Sequence, residues 1–307
     1  MDNKIKGYFL AIVAAASYGM NPLFALPLFE NGMNSISVLF FRYLTSIPLL
    51  LIMAKLRGRS LRLNKGELLP LVFIGLMFVL SSITLFSSYS HMDAGIASTL
   101  LFVYPIIVAL IMRIFYKEKI NFFTVVCMLI TLLGISLLLK NESGTPLSPV
   151  GMALVFISAL TYSIYIVTIN KSRLNSVTTI KITIYVLFIG LIVLASYLII
   201  DGSIYYPTEW YLWGNILALA LFPTVISLVF TTLAVQYIGS TSTAILGALE
   251  PVTALIFGVT VFGEVISVKE WCGIVLIIFA VTLVVAGGSI SKPLTHFKKL
   301  FPKKIFK

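Results

Sequence analysis

Carboxylates are rare inside apolar segments, and one stands deep in this chain: Glu250, about eight residues into the apolar run that starts near 242. In a helix that depth is roughly 12 Å from the start of the run. A carboxyl there is costly unless it is protonated, paired or facing water. Desolvation favours its neutral form. It suits proton exchange or contact with a cationic group, and equally a packing role beside Pro251. Arg42 lies about six residues into another apolar run. It cannot shed its charge, so it either receives a carboxylate or phosphate or snorkels to the headgroups, and snorkelling is the simpler expectation. Asn21 precedes Pro22, whose ring removes a backbone hydrogen bond and kinks a helix. Asn21 either faces a wet path at that kink or simply packs. Tyr18, Tyr104, Tyr162 and Tyr165 lie away from the expected interfaces, where aromatic rings pack or stack on a ring or cation. Hydroxyls are dense at Ser81, Ser82 and Thr84, and again at Thr224, Ser227 and Thr231.

These residues sit in a chain that is 59% hydrophobic and 11% charged. A soluble domain carries roughly 25% charged residues, so much of this exterior must face lipid. A barrel would alternate apolar and polar residues, whereas these runs are apolar on every side, which leaves helices. Ten spans are expected, near 7–28, 36–54, 68–88, 94–115, 122–139, 150–169, 181–200, 211–234, 242–262 and 271–288. The run from Gly7 is too long for a signal-peptide core and reads as an uncleaved first span. The formal charge of +11 does not indicate nucleic acid, because the basic residues cluster in loops on one side. Lys55, Arg57, Arg59, Arg62, Lys117 and Lys171 share that side with both termini, and Lys140 and Lys269 fall opposite. The positive-inside rule then puts both termini in the cytoplasm and the loop Lys140–Pro149 outside. The basic tail after residue 289 suits an anionic inner leaflet or a disordered segment equally.

The chain repeats itself. A shift of 146 lays Leu100 on Leu246, Pro105 on Pro251, Glu118 on Glu264 and Ile120 on Ile266. A shift of 144 lays Gly7 on Gly151, Ala15 on Ala159 and Tyr18 on Tyr162. The halves are 1–139 and 150–288, joined by the turn-rich linker 140–149 and followed by the tail 289–307. Five spans per half is an odd number, so the second half crosses in the opposite sense. The expected fold is an all-α polytopic membrane protein with ten transmembrane helices in two inverted five-helix repeats. Such repeats can exchange conformations and open a central site to each side in turn. A secondary transporter is therefore the expected class.

An enzyme would need a cluster of acids, histidines or a nucleophile–base pair. The chain has two histidines and no such cluster, and its two cysteines, Cys127 and Cys272, read as buried free thiols. No cofactor or metal is expected, and an integral membrane enzyme acting on a lipid or lipid-linked substrate is the alternative. The expected partners are a small-molecule substrate and the lipid bilayer, with a proton as coupling ion.

The segments ALEPVTALIFGVTVFGE and WCGIVLIIFAVTLVV, their first-half counterpart TLLFVYPIIVALIMRIFYKEKI, and FFRYLTSIPLLL around Arg42 carry a family resemblance. The chain resembles the EamA family of the drug/metabolite transporter superfamily over nearly its whole length. It departs from the EPV pattern in the first half, where Tyr104 stands in the place of Glu250. The resemblance implies ten helices, a central cavity and alternating access, and leaves open the cargo: amino acids, sugars, nucleosides, vitamins or drugs. A small polar metabolite, such as an amino acid or related compound, or a drug, moved outward, is expected to meet Asn21, Arg42, Tyr104, Tyr162, Tyr165 and Glu250, with Glu250 also coupling transport to protons. The inner cell membrane is the expected location.

Overall fold

In a computed structural model, the structure describes residues 3–64, 66–92, 97, 100–118, 122–138, 148–201, 203–262, 267–269 and 271–283. The described residues form helices: α1 (Asn3–Tyr18), α2 (Asn21–Glu30), α3 (Ser35–Leu56), α4 (Leu68–Ser88), α5 (Tyr104–Tyr116), α6 (Phe122–Leu138), α7 (Pro149–Lys171), α8 (Thr179–Asp201), α9 (Trp210–Leu219), α10 (Ser227–Ile238), α11 (Ser240–Leu246) and α12 (Leu249–Phe262). A last helix, α13, spans Trp271–Leu283. Seven helical stretches among these residues are long and apolar enough to cross a membrane, and α5, α6 and α13 are shorter apolar helices. Outward-facing side chains such as Leu69, Ile114, Phe122 and Ile200 are exposed. That is the surface lipid requires.

Several segments start where the sequence offers a cap. Asn34 accepts a hydrogen bond from the backbone N–H of Ser37, and Ser148 caps α7 ahead of Pro149. A side-chain oxygen at that position satisfies an otherwise orphan helix donor. Breaks fall inside three stretches. The first helix stops at Gly19–Met20 just before Pro22, α11 stops at Gly247–Ala248 before Pro251, and a turn at 102–103 precedes Pro105. Around Pro223 the chain widens into a π-type turn, Ala220–Ile226, between α9 and α10. The uncharged loop near Gln236–Ser240 is a single sharp residue: Gly239 has φ +84° between α10 and α11. Gln236 holds the facing connection by donating to the carbonyls of Leu174 and Val177.

The packing is nearly unchanged when the two halves are exchanged. Helix α1 packs on α10 and α4 packs on α7; α3 packs on α8 across the middle; α5 packs on α7 and α12 packs on α1. The glycine contacts repeat this at the residue level. A Cβ at Gly7 would meet Ile238 and Tyr237, and one at Gly151 would meet Met92 and His91. Gly7 and Gly151 are related by the shift of 144, and Tyr237 and Ile238 lie 146 beyond His91 and Met92. The internal repeat therefore reaches into the tertiary contacts, because small residues let helix backbones approach closely.

One expectation fails. Cys127 is buried, but Cys272 is exposed on α13. An apolar span carries a lipid-facing side as well as a buried one, and composition alone does not say which side a cysteine takes. The loop 140–147, Glu264 and the basic tail lie outside the described residues.

Candidate functional site

Tyr104, Tyr162 and Glu250 line one small cavity with Ala11, Ala15, Ile166, Thr231, Thr243 and Gly247. Helices α1, α7, α10 and α11 and the starts of α5 and α12 supply these residues, so both halves contribute. The free volume is about 10 Å³, which holds roughly one water. Any larger occupant requires the helices to part.

Each side chain has a local reason for its position. The break before Pro105 turns Tyr104 inward, where it is buried and its hydroxyl donates to the carbonyl of Ala244 at 2.9 Å. That reach is possible only because position 247 is glycine: a Cβ there would lie 1.9 Å from the Tyr104 hydroxyl. Ser163 fixes the other side of Tyr104 by donating to its carbonyl at 3.0 Å. The Tyr162 ring meets Tyr104 edge-on, with centroids 5.1 Å apart. Glu250 is half-buried, and its carboxyl has no hydrogen-bond or ion-pair partner among the described residues. Its backbone lies against the break in the first span, since a Cβ at Gly19 would sit 2.4 Å from the Glu250 carbonyl oxygen.

Asn21 and Arg42 are brought together, but beside the cavity rather than on its wall. Arg42 is 2% exposed. It donates through Nη1 to Asn21 Oδ1 at 3.1 Å, through Nη2 to the Pro223 carbonyl at 3.2 Å, and through Nε to Thr224 Oγ1. The expectation that Arg42 snorkels to the headgroups is wrong. The π-type turn at Pro223 frees a carbonyl, and the guanidinium fork reaches it together with two neutral acceptors. No ion pair joins Arg42 to Glu250 among the described residues. Tyr18 lies near both the Arg42 and the Glu250 side chains.

Tyr165 is fully buried and also off the cavity wall. It stacks on Tyr162 with centroids 5.8 Å apart and meets Phe78 at 5.2 Å, and Phe78 stacks on Tyr43. An aromatic ladder thus runs from the cavity to α3. Sequence reasoning singled out neither Thr243 nor Gly247 for the wall. The signal was there, since Gly247 stands just before Pro251, the repeat partner of Pro105, in a run of small residues.

A polytopic helical bundle whose two similar halves close on a polar, aromatic cavity defines a membrane transporter. The chain belongs to the EamA-like transporter family, whose model matches residues 5–140 and again 149–286. An uncharacterized transporter of Archaeoglobus fulgidus is 25% identical over 247 residues, covering 80% of this chain and 83% of that protein. A solved crystal structure of a protein shares the fold, with a TM-score of 0.77 at 16% identity over 91% of this chain and 96% of the other.

Proposed function

We propose that the chain is a secondary carrier working by alternating access, with ten helices in two inverted repeats, 1–139 and 150–288, and both termini in the cytoplasm. Its cargo is a small polar metabolite, an amino acid or related compound, or a drug, moved outward across the cell membrane. The observation that carries this reading is Glu250. Its carboxyl, unpartnered among the described residues, meets a cavity walled by Tyr104 and Tyr162 with no basic side chain among its described lining residues. Such a carboxyl takes either a proton or a positively charged group of the cargo, and tyrosine faces favour the same cation. Competition between the two would couple transport to a proton gradient. Asn21, Arg42 and Tyr165 stand just behind this wall and come to the cargo when the helices part.

Purified protein in liposomes tests the reading. Saturable counterflow of a cargo found by thermal stabilisation supports a carrier, because a ligand stabilises the state it binds. Unsaturable flux would make the protein a channel, and chemical conversion of the added compound would make it an enzyme.

A further inference from the structure

The same two segments meet twice, once in each half, with the individual pairings crossed. At one end of the bundle Lys181, at the start of α8, donates to the carbonyl of Arg62 at 2.6 Å and pairs with Glu67. One turn further, the Tyr185 hydroxyl donates to the carbonyl of Leu61 at 2.9 Å. The connection between α3 and α4 is thereby held down on α8. In the other half, Ser37, at the start of α3, accepts a hydrogen bond from the Tyr205 backbone N–H at 3.0 Å. One turn further, the Phe41 ring meets Tyr206, with centroids 5.7 Å apart. The connection between α8 and α9 is thereby held down on α3. Ser37 and Lys181, Phe41 and Tyr185, Leu61 and Tyr205, and Arg62 and Tyr206 are all related by the shift of 144 that lays the first span on the sixth.

The two copies differ in chemistry. Lys181 is 6% exposed, and its ammonium is bound by a carboxylate and a carbonyl. Ser37 makes one neutral bond, backed by ring contacts. Charge-assisted hydrogen bonds are roughly twice as strong as neutral ones. Opening the Lys181 end must also separate a shielded charge pair.

We propose that these contacts are the two gates of the transport cycle, and that the ionic gate of Lys181 and Glu67 keeps its end shut at rest while the neutral gate of Ser37 and Tyr205 opens first. This rests on the carrier reading above. Both contacts are formed in the structure and the cavity holds about one water, so on this proposal the conformation is the occluded one from which either gate can open. On the proposed orientation the ionic gate faces the cytoplasm, so the resting carrier opens outward. Glu67 and Lys181 then set which side the cavity visits, without touching the cargo.

The test reads access to the cavity from each side. Thr243→Cys, on the cavity wall, is placed in a protein with Cys127→Ala and Cys272→Ala. Labelling by a membrane-impermeant maleimide is timed in sealed vesicles of both orientations. Ser60→Cys, in the exposed connection beside Glu67, marks the Lys181 side in a parallel sample. The parent protein should label faster from the side opposite Ser60. Glu67→Gln should shift labelling toward the Ser60 side by roughly tenfold, the factor for one charge-assisted bond. Ser37→Ala should shift it the other way by a smaller factor. Glu67→Asp keeps the carboxylate, should stay nearer the parent ratio than Glu67→Gln, and guards against a variant that merely unfolds. Unchanged ratios in Glu67→Gln and Ser37→Ala, or shifts in the same direction, overturn the gates. If counterflow persists in those variants, the carrier reading survives that result. If the parent protein shows no counterflow of any stabilising compound, the carrier reading itself fails.

Discussion

Gly19 lies directly under the carbonyl oxygen of Glu250, so close that a Cβ would sit 2.4 Å from it and 2.7 Å from the Cβ of Thr253. The break in the first span and the start of α12 are therefore one joint. The atom in the way is backbone and cannot swing aside. Gly19→Ala should push the two helices apart at a cost of about 1–3 kcal/mol, the usual range for overpacking. Gly151→Ala offers the contrast, because its added Cβ would meet the flexible end of Met92. Thermal melts in detergent should show a clear loss for Gly19→Ala and a small one for Gly151→Ala. Equal melting temperatures for the two would contradict this account of the joint.

Tyr104 and Gly247 give a second, sharper test. Gly247→Ala should displace the Tyr104 hydroxyl and break its bond to Ala244, costing about 1–3 kcal/mol. Tyr104→Phe removes the same hydroxyl, the nearest obstacle, and leaves the Ala244 carbonyl oxygen at 3.0 Å and the ring carbon at 3.2 Å. The pair should therefore be strongly non-additive: Gly247→Ala is expected to be much milder in the Tyr104→Phe background. Additive losses in melting temperature would show that the hydroxyl is not what excludes a side chain at 247.

The elements were largely legible in the sequence, because a span of apolar residues can hardly be anything but a membrane helix. The prolines were legible as breaks, although the break before Pro22 falls at Gly19–Met20, where the close approach to Glu250 decides it. The repeat was legible in Pro105 and Pro251, and its consequences in the glycine contacts follow from it. Partnerships were not legible. Arg42 looked like a snorkelling residue because its acceptors, Asn21, Pro223 and Thr224, come from distant segments and one of them exists only because Pro223 widens a turn. The pair Glu67 and Lys181 was equally hidden. Glu67 reads as a loop acid and Lys181 as one more inside charge until the fold lays α8 against the preceding connection. Glu250, Tyr104 and Tyr162 were legible because an isolated acid and tyrosines away from the interfaces stand out against apolar runs, and the structure gathers those three on one wall.

Acid should weaken the contact at Glu67. The bond from Lys181 holds the Glu67 carboxyl below the usual carboxylate value of 4.5, helped by donors on Asn64. A lowered pKa in the folded state means that folding favours the charged form. The stability from this pair is complete above 4.5 and is lost as pH falls through the lowered folded value. Glu67→Gln has no such group to titrate. Melting temperatures of the parent should therefore fall more steeply on acidification below 4.5 than those of Glu67→Gln, and the two curves should converge at the acid end. Parallel curves across that range would rule out a titrating contact.

Glu250→Gln separates the roles open to the cavity acid. The amide keeps the shape of the carboxyl and cannot exchange a proton. If Glu250 carries protons, the variant should still bind cargo and catalyse exchange between equal pools, yet fail to accumulate cargo against its gradient when a proton gradient is imposed. If the carboxylate instead holds a positive group of the cargo, exchange itself should weaken, with a loss of roughly tenfold or more for a charged hydrogen bond of about 1.5–3 kcal/mol. Liposomes loaded with cargo and run with and without a pH difference measure both quantities in one preparation. Thr243 and Tyr162 provide the control surface, since altering the wall without altering its charge should change affinity and leave the proton dependence intact. A Glu250→Gln protein with normal expression, normal exchange and an unchanged response to the pH difference would reduce the acid to a packing residue beside Pro251. The cavity would then keep its tyrosines and lose Glu250 as a reason for coupling.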